Sequence, residues 1–289
     1  MKKRNLVLSV MATCLVSCFL LSGCNGQKQI DSETVKTVKV EEQAHLQDDT
    51  VSPTCQITID YSYLAKSDAA DSIVQRINRT IQAHILGKEY TRMNPEVAVD
   101  SFKNTYINNY RKDVNEFYQE DIKNGTPKDE LPTWYNYEYG LTTYFSEGKE
   151  GILNFIAETF EYTGGAHPNS WNKWMNFEKN TGKLLALKDV FMAGSEKPIS
   201  DMLLEELITE MATRLEDSSI TSLEGLQNAG ILNSTNMYVP DNFLLEKEKV
   251  SFLYNKYDIA PYAVGIITLS LPYTSVSYTH LRAHETAAN

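Results

Sequence analysis

From Pro53 the chain alternates between apolar and polar positions. In PTCQITIDYSYL, Cys55, Ile57, Ile59, Tyr61 and Tyr63 fall between Thr54, Gln56, Thr58, Asp60 and Ser62. A period of two with one apolar face predicts a strand lying on a core, with the Cys55 thiol packed inside as a small hydrophobe. Beyond Leu64 the period lengthens. Ile73, Val74, Ile77, Ile81 and Ile85 make one helical stripe, which Ser67 or Asp68 can cap and Gly87 can end. Asn94-Pro95 opens a second helix, in which Phe102, Tyr106, Tyr110, Val114 and Phe117 recur every three or four residues until Gly125. Aromatic residues at that spacing belong to a core face rather than to a sugar-stacking ladder.

From Thr133 the pattern returns to strands. TWYNYEYGLTTYF and GILNFIAETFEY flank the polar turn Ser146 to Gly151, which predicts a hairpin. SWNKWMNFE follows, with Trp171, Lys173, Met175 and Phe177 opposite Asn172, Trp174 and Asn176. Both faces carry aromatic residues, so at least one tryptophan belongs at a surface. After KLLALKDVF a third helix is predicted over about Ile199 to Leu215, with Leu203, Leu204, Leu207, Ile208, Met211 and Leu215 inward. NFLLEKEKVSFLYNKYDIAPYAVGIITLSLPY reads as a hairpin, a tyrosine-rich loop and a strand ending at Pro272. Helices and strands in segregated groups predict an α+β fold, with antiparallel sheets packed against helices in two adjoining α+β modules.

The first 24 residues follow another logic. MKKRNLVLSVMATCLVSCFLLSGC joins a basic start, an apolar stretch from Leu6 to Leu21 and small residues before a cysteine. Those are the parts of a bacterial export signal, and Leu21-Ser22-Gly23-Cys24 resembles a lipobox. The expectation is a lipoprotein: signal peptide 1–23, acylated Cys24, and a polar tether over 24–49 that a short strand at Val35 to Val40 interrupts. Acyl chains on Cys24 would hold the protein on a membrane. Asn25 after Cys24 leans towards the outer membrane, facing the periplasm, if the cell is Gram-negative. The first module is expected over 50–150, the second over 151–275, and a doubtful tail over 276–289, where SVSYTHLRAHETAAN loses all periodicity and resembles translated adapter sequence.

Charge narrows the partners. The formal charge of −11 becomes −14 once a signal with three basic and no acidic residues is removed, which argues against nucleic acid. Cys14 and Cys18 leave with the signal and Cys24 carries lipid, so Cys55 remains alone and no intramolecular disulfide is expected.

EYTGGAHPNSW poses the main chemical question, because a strand ends there on two glycines, a histidine and a proline. His167 has no HxH, HExxH or Cys/His companion, His45 and His84 are isolated, and His280 and His284 lie in the tail. A metal site usually needs three or four ligands, and no GxSxG elbow marks a serine nucleophile. Gly164 and Gly165 are better explained by positive φ or close backbone approach, and Pro168 by fixing the exit of the loop. No catalytic residue, metal or cofactor is assigned. The candidate ligand-binding residues are Gly164, Gly165, His167 and Asn169 in this loop and Tyr257, Asp258, Pro261 and Tyr262 in the tyrosine-rich one, two loops expected to border one cleft.

Three motifs in order, EYTGGAHPN, TGKLLALKDVF and FLYNKYDIAPYAVGIITLSLPY, resemble the DUF3298 family, the module forming the extracellular part of RsiV-type anti-sigma factors. The part from about Cys55 to Tyr144 resembles the DUF4163 module that usually precedes it and accompanies some peptidoglycan deacetylases. The resemblance implies an α+β fold and, from the anti-sigma relatives, a module that binds lysozyme and so triggers proteolysis that frees a sigma factor. With five residues before the apolar stretch and no deacetylase domain, neither sigma-factor regulation nor deacetylation is carried over. The resulting expectation is a lipid-anchored cell-envelope protein with a noncatalytic ectodomain that binds a macromolecule or glycan. One alternative is a lysozyme-binding decoy or inhibitor. The other is a glycan-modifying enzyme, with Asp258 and Glu161 as candidate acid and base.

Overall fold

The computed structural model describes residues 34–65 and 71–276. Cys24, the apolar leader and the run from 277 onward lie outside the described residues. The fold is α+β, with a five-stranded sheet of order β1-β2-β3-β4-β5 and a three-stranded sheet of order β6-β7-β8.

Strand β1 (Val35–His45) pairs antiparallel with β2 (Thr54–Leu64) along its whole length. The strand expected over Val35 to Val40 therefore runs five residues further, and much of the segment read as a tether is sheet. Its polar sequence, VKTVKVEEQAH, suits an edge strand, where charged side chains discourage pairing with another chain. The period-two strand β2 buries Cys55, Ile57, Ile59 and Tyr61 completely.

Strands β2 and β3 (Tyr137–Glu147) run parallel, which the expectation of antiparallel sheets did not include. A parallel neighbour needs a crossover, and helices α1 (Asp71–Ile85) and α2 (Pro95–Lys123) provide it. Asn94 caps α2 by accepting from Glu96 N, with Pro95 in the first turn. Ile107, Tyr110, Val114 and Tyr118 of α2 face the core, whereas Phe117 is 53% exposed. The stripe steps from Val114 to Tyr118 by four residues, so Tyr118 takes the inward place expected of Phe117.

Strands β4 (Ile152–Tyr162) and β5 (Asn169–Glu178) complete the sheet antiparallel to β3. A boundary after residue 150 would cut the β3–β4 hairpin. The first sheet continues to Glu178, because Phe155, Met175 and Phe177 lie in the same core as Ile57 and Tyr110.

The second core packs β6 (Phe243–Leu245), β7 (Lys249–Tyr254) and β8 (Ile267–Pro272) with α3 (Leu187–Val190), α4 (Glu196–Arg214) and α5 (Leu223–Asn228). Leu203, Leu207 and Met211 of α4 are fully buried in it. Leu215 lies past the end of the helix and is 40% exposed, not inward as expected. A last short helix, α6 (Tyr273–Val276), follows β8 and buries Val276 completely, so the folded module includes the first residue assigned to the tail.

The two sheets meet along β5, the edge of the first. An edge strand presents unpaired backbone groups, and asparagine side chains answer them here. Asn172 N donates to Asn255 Oδ1 (2.7 Å), and Asn172 O accepts from Asn242 Nδ2 (2.8 Å). Trp174 N donates to Asn242 Oδ1 (2.7 Å). In the other direction Asn176 donates through Nδ2 to Phe243 O (2.8 Å) and accepts at Oδ1 from Leu245 N (2.7 Å). A carboxamide carries a donor and an acceptor side by side, as a peptide group does, so these residues act in place of a neighbouring strand.

Candidate functional site

The two loops singled out in the sequence come together. The β4–β5 turn holds Gly164 at φ 83° and Gly165 at φ 110°, backbone angles that favour glycine. At Gly164 space is also short, since a Cβ would sit 3.1 Å from both Cβ and the carbonyl oxygen of Trp134. His167 then stacks on Tyr262, ring centroids 3.9 Å apart and planes 22° apart.

Hydrogen bonds fix this stack. His167 Nδ1 lies 3.2 Å from Pro168 O, and Tyr262 Oη donates to the same carbonyl at 2.9 Å. A carbonyl only accepts, so Nδ1 carries a proton, and Nε2 faces Tyr257 Oη at 3.3 Å. Lys256 Nζ lies 4.2 Å from the Tyr262 ring centroid and donates to Ser170 Oγ at 2.6 Å, adding a cation–π contact. Tyr257 is 61% exposed and takes a left-handed φ of 70°, an uncommon angle for a side-chain-bearing residue.

The remaining candidates shape the two turns that carry these rings. Asp258 accepts from Asn255 N (2.7 Å) and closes the turn before Tyr262. Pro261 opens the short turn Tyr262–Val264, which ends at Gly265 with φ 82°. Asn169 Oδ1 accepts from Ser170 N (3.0 Å) at the start of β5.

The two carboxylates of the enzyme alternative occupy separate settings. Glu161 accepts from Tyr106 Oη (2.9 Å) on the face turned to α2, and burial together with that carboxylate pushes the Tyr106 hydroxyl strongly up. Asp258 is engaged in its own loop. His45 and His84 each lie against a nearby carbonyl, of Ser52 and Thr80. Among the described residues no group of three or more His, Cys, Asp and Glu could hold a metal ion, and no helix is long and apolar enough to cross a membrane. Cys55 is buried, and desolvation pushes its thiol up to about 12.

Against this geometry the comparisons with known proteins can be placed. Residues 188–274 match the model of the DUF3298 family, a protein family of unknown function. The C-terminal part of the chain is thus similar to the DUF3298 family. Residues 50–170 match the model described as deacetylase PdaC. The EYTGGAHPN stretch, assigned above to the DUF3298 resemblance, falls within this N-terminal match, and of the three motifs FLYNKYDIAPYAVGIITLSLPY alone lies wholly in the C-terminal one. The loop pair is thus shared between the two matched segments.

A DUF3298 family member from Bacteroides fragilis NCTC 9343 superposes with a TM-score of 0.79 at 28% identity, over 89% of this chain and 96% of that one. A DUF3298 family protein from Pseudomonas aeruginosa PAO1 shares the fold with a TM-score of 0.57 at 16% identity, over 86% of this chain and 94% of that one. Both alignments span the five-stranded sheet as well as the DUF3298 part. No curated protein matches the chain.

Residue-by-residue reading missed the asparagines at the junction. Their signal was present, since Asn172 and Asn176 alternate with Trp174 on one face of SWNKWMNFE. Asn242 and Asn255, which bond the backbone of Asn172, and Phe243 and Leu245, which Asn176 serves, lie about 70 to 80 residues away in sequence, beyond the reach of any local pattern.

Proposed function

We propose that this chain is a noncatalytic binding module of the cell envelope, lipid-anchored through Cys24, which recognises another macromolecule or a glycan with its paired loops. The observation that carries this reading is the His167–Tyr262 stack. Two loops separated by some 90 residues place three rings and a lysine at one exposed spot. Aromatic side chains with a polar tip and a constrained backbone suit recognition, because they present large contact area with little entropy left to lose. Both ring nitrogens of His167 are engaged within the loops, so the histidine holds the geometry of the pair.

Two further readings have specific support. The N-terminal match to a model named for a deacetylase favours a glycan among the ligands, while the structural engagement of Glu161 and Asp258 weighs against their use as acid and base. The formal charge of −11, with the resemblance to the anti-sigma modules, supports lysozyme or a similar basic protein as partner. Calorimetry at about 0.15 M salt, where the screening length is near 8 Å, separates a shaped contact from diffuse attraction. A lysozyme complex of this kind has one-to-one stoichiometry and weakens in Tyr262→Ala and His167→Ala. Binding that disappears at this salt, or that ignores both substitutions, removes lysozyme as the partner. Loss of lipid labelling in Cys24→Ala tests the anchor, and unchanged labelling refutes it.

A further inference from the structure

The outer face of the five-stranded sheet carries a second feature. Tyr144 on β3 stands opposite Ile156 on β4, which stands opposite Trp174 on β5. Residues two apart on a strand share a face, so the next row, Thr142, Glu158 and Asn172, lies on the same side. The second sheet leans over this face, and Leu244, Leu253 and Ile266 close one wall of a trough of about 690 Å³. That volume falls within the range of small-molecule sites, about 300–1,000 Å³.

Three properties narrow the ligand. The floor is a stripe of aromatic, aliphatic and aromatic side chains, with Tyr144 43% exposed, Trp174 half-buried and Ile156 buried between them. Such rings present a negative π face, which suits the polarised C–H face of a pyranose. The rim is mixed in sign, because Glu147, Glu246 and Glu248 share it with Lys247 and Lys249, Glu246 lying 3.8 Å from Lys249. A strongly charged ligand therefore meets attraction and repulsion together. An acceptor is open to a ligand: the Glu158 carboxylate has, among the described residues, a long side-chain contact from Tyr144 Oη (3.5 Å).

We propose that this trough binds a neutral oligosaccharide, with pyranose faces on Trp174 and Tyr144 and sugar hydroxyls donating to Glu158. The inference rests on the noncatalytic reading in that the sugar is held and returned intact, but it does not depend on the paired loops.

The test is a titration of the full chain in detergent with cellotetraose and with tetra-N-acetylchitotetraose, read by tryptophan fluorescence and by mass analysis of the recovered sugar. At least one tetrasaccharide saturates the protein and comes back unchanged. Trp174→Ala and Tyr144→Ala each weaken it tenfold or more, while Asn108→Ala, on the exposed side of α2, leaves it within twofold. Tyr144 lies largely exposed, so its variant answers the question even if Trp174→Ala folds poorly. Absence of saturation up to about 10 mM, well above the millimolar edge of weak binding, overturns the site. So does binding that ignores both aromatic substitutions, or binding of spermine in place of either sugar. A sugar that binds in the trough but returns cleaved or deacetylated keeps the site and overturns the noncatalytic reading.

Discussion

Replacing Asn176 by alanine tests the junction between the two sheets. The side chain is 1% exposed and serves two backbone groups of β6, the carbonyl of Phe243 at 2.8 Å and the amide of Leu245 at 2.7 Å. Truncation leaves both without their partner in a buried place, at about 1–3 kcal/mol for each unsatisfied group. Water entering the space vacated by the carboxamide offsets part of this, so the net loss is about 2–4 kcal/mol. For a folded unit of this size one kcal/mol shifts the melting temperature by about 2–4 °C, and the expected fall is about 4–16 °C by calorimetry. Asn108→Ala is the control, since Asn108 lies on the exposed side of α2 and surface changes of that kind stay within about 0.5 kcal/mol. If Asn176→Ala melts no lower than Asn108→Ala, the asparagines do not bind the sheets together.

Three other outcomes follow from the same structure. Gly148→Ala places a Cβ 2.5 Å from Leu245 O and 2.8 Å from Asn154 Oδ1; overpacking of this kind costs about 1–3 kcal/mol, and unchanged chemical denaturation would show that the junction yields freely. Gly164→Val with Gly165→Val is expected to destabilise by about 1–3 kcal/mol per strained position, and more than His167→Ala does; the reverse order would mean that the histidine, not the backbone, shapes the turn. Cys55 resists a thiol reagent until the protein unfolds. Its folded pKa of about 12 lies above the ordinary 9.0, so its contribution to stability is complete below about pH 9 and is lost as pH rises towards 12; Cys55→Ser should flatten that part of the stability profile.

The sequence was most informative where one residue's neighbours in the chain are also its neighbours in space. The alternation from Cys55 to Tyr63 marks β2, Asn94-Pro95 marks the start of α2, and the glycines at 164 and 165 do take positive φ. Polar edge strands defeat this reading. In β1 the core is served by Val35, Val38 and Val40 with charged residues between them, so the chain from Glu41 to His45 reads as tether although β2 holds it by backbone bonds. Parallel pairing of β2 with β3 is equally invisible, since it depends on where a crossover of two helices returns the chain. The expected meeting of the two loops rested on family resemblance, and their contact was legible only as a pair of aromatic, strained turns. The junction and the trough arise from register across β3, β4 and β5, and register is a property of pairs of strands, which a single run of residues does not record.

The proposed function requires that the paired loops meet a partner. A photo-crosslinking amino acid placed at Tyr257, 61% exposed beside His167, tests it in the cells that make the protein, with the same probe at Asn108 on α2 as reference. A partner seated on the paired loops gives a discrete crosslinked species from position 257 that is absent from position 108 and is lost when Tyr262→Ala is added. The same pattern from both positions, or a crosslink at 257 that survives Tyr262→Ala undiminished, would contradict it.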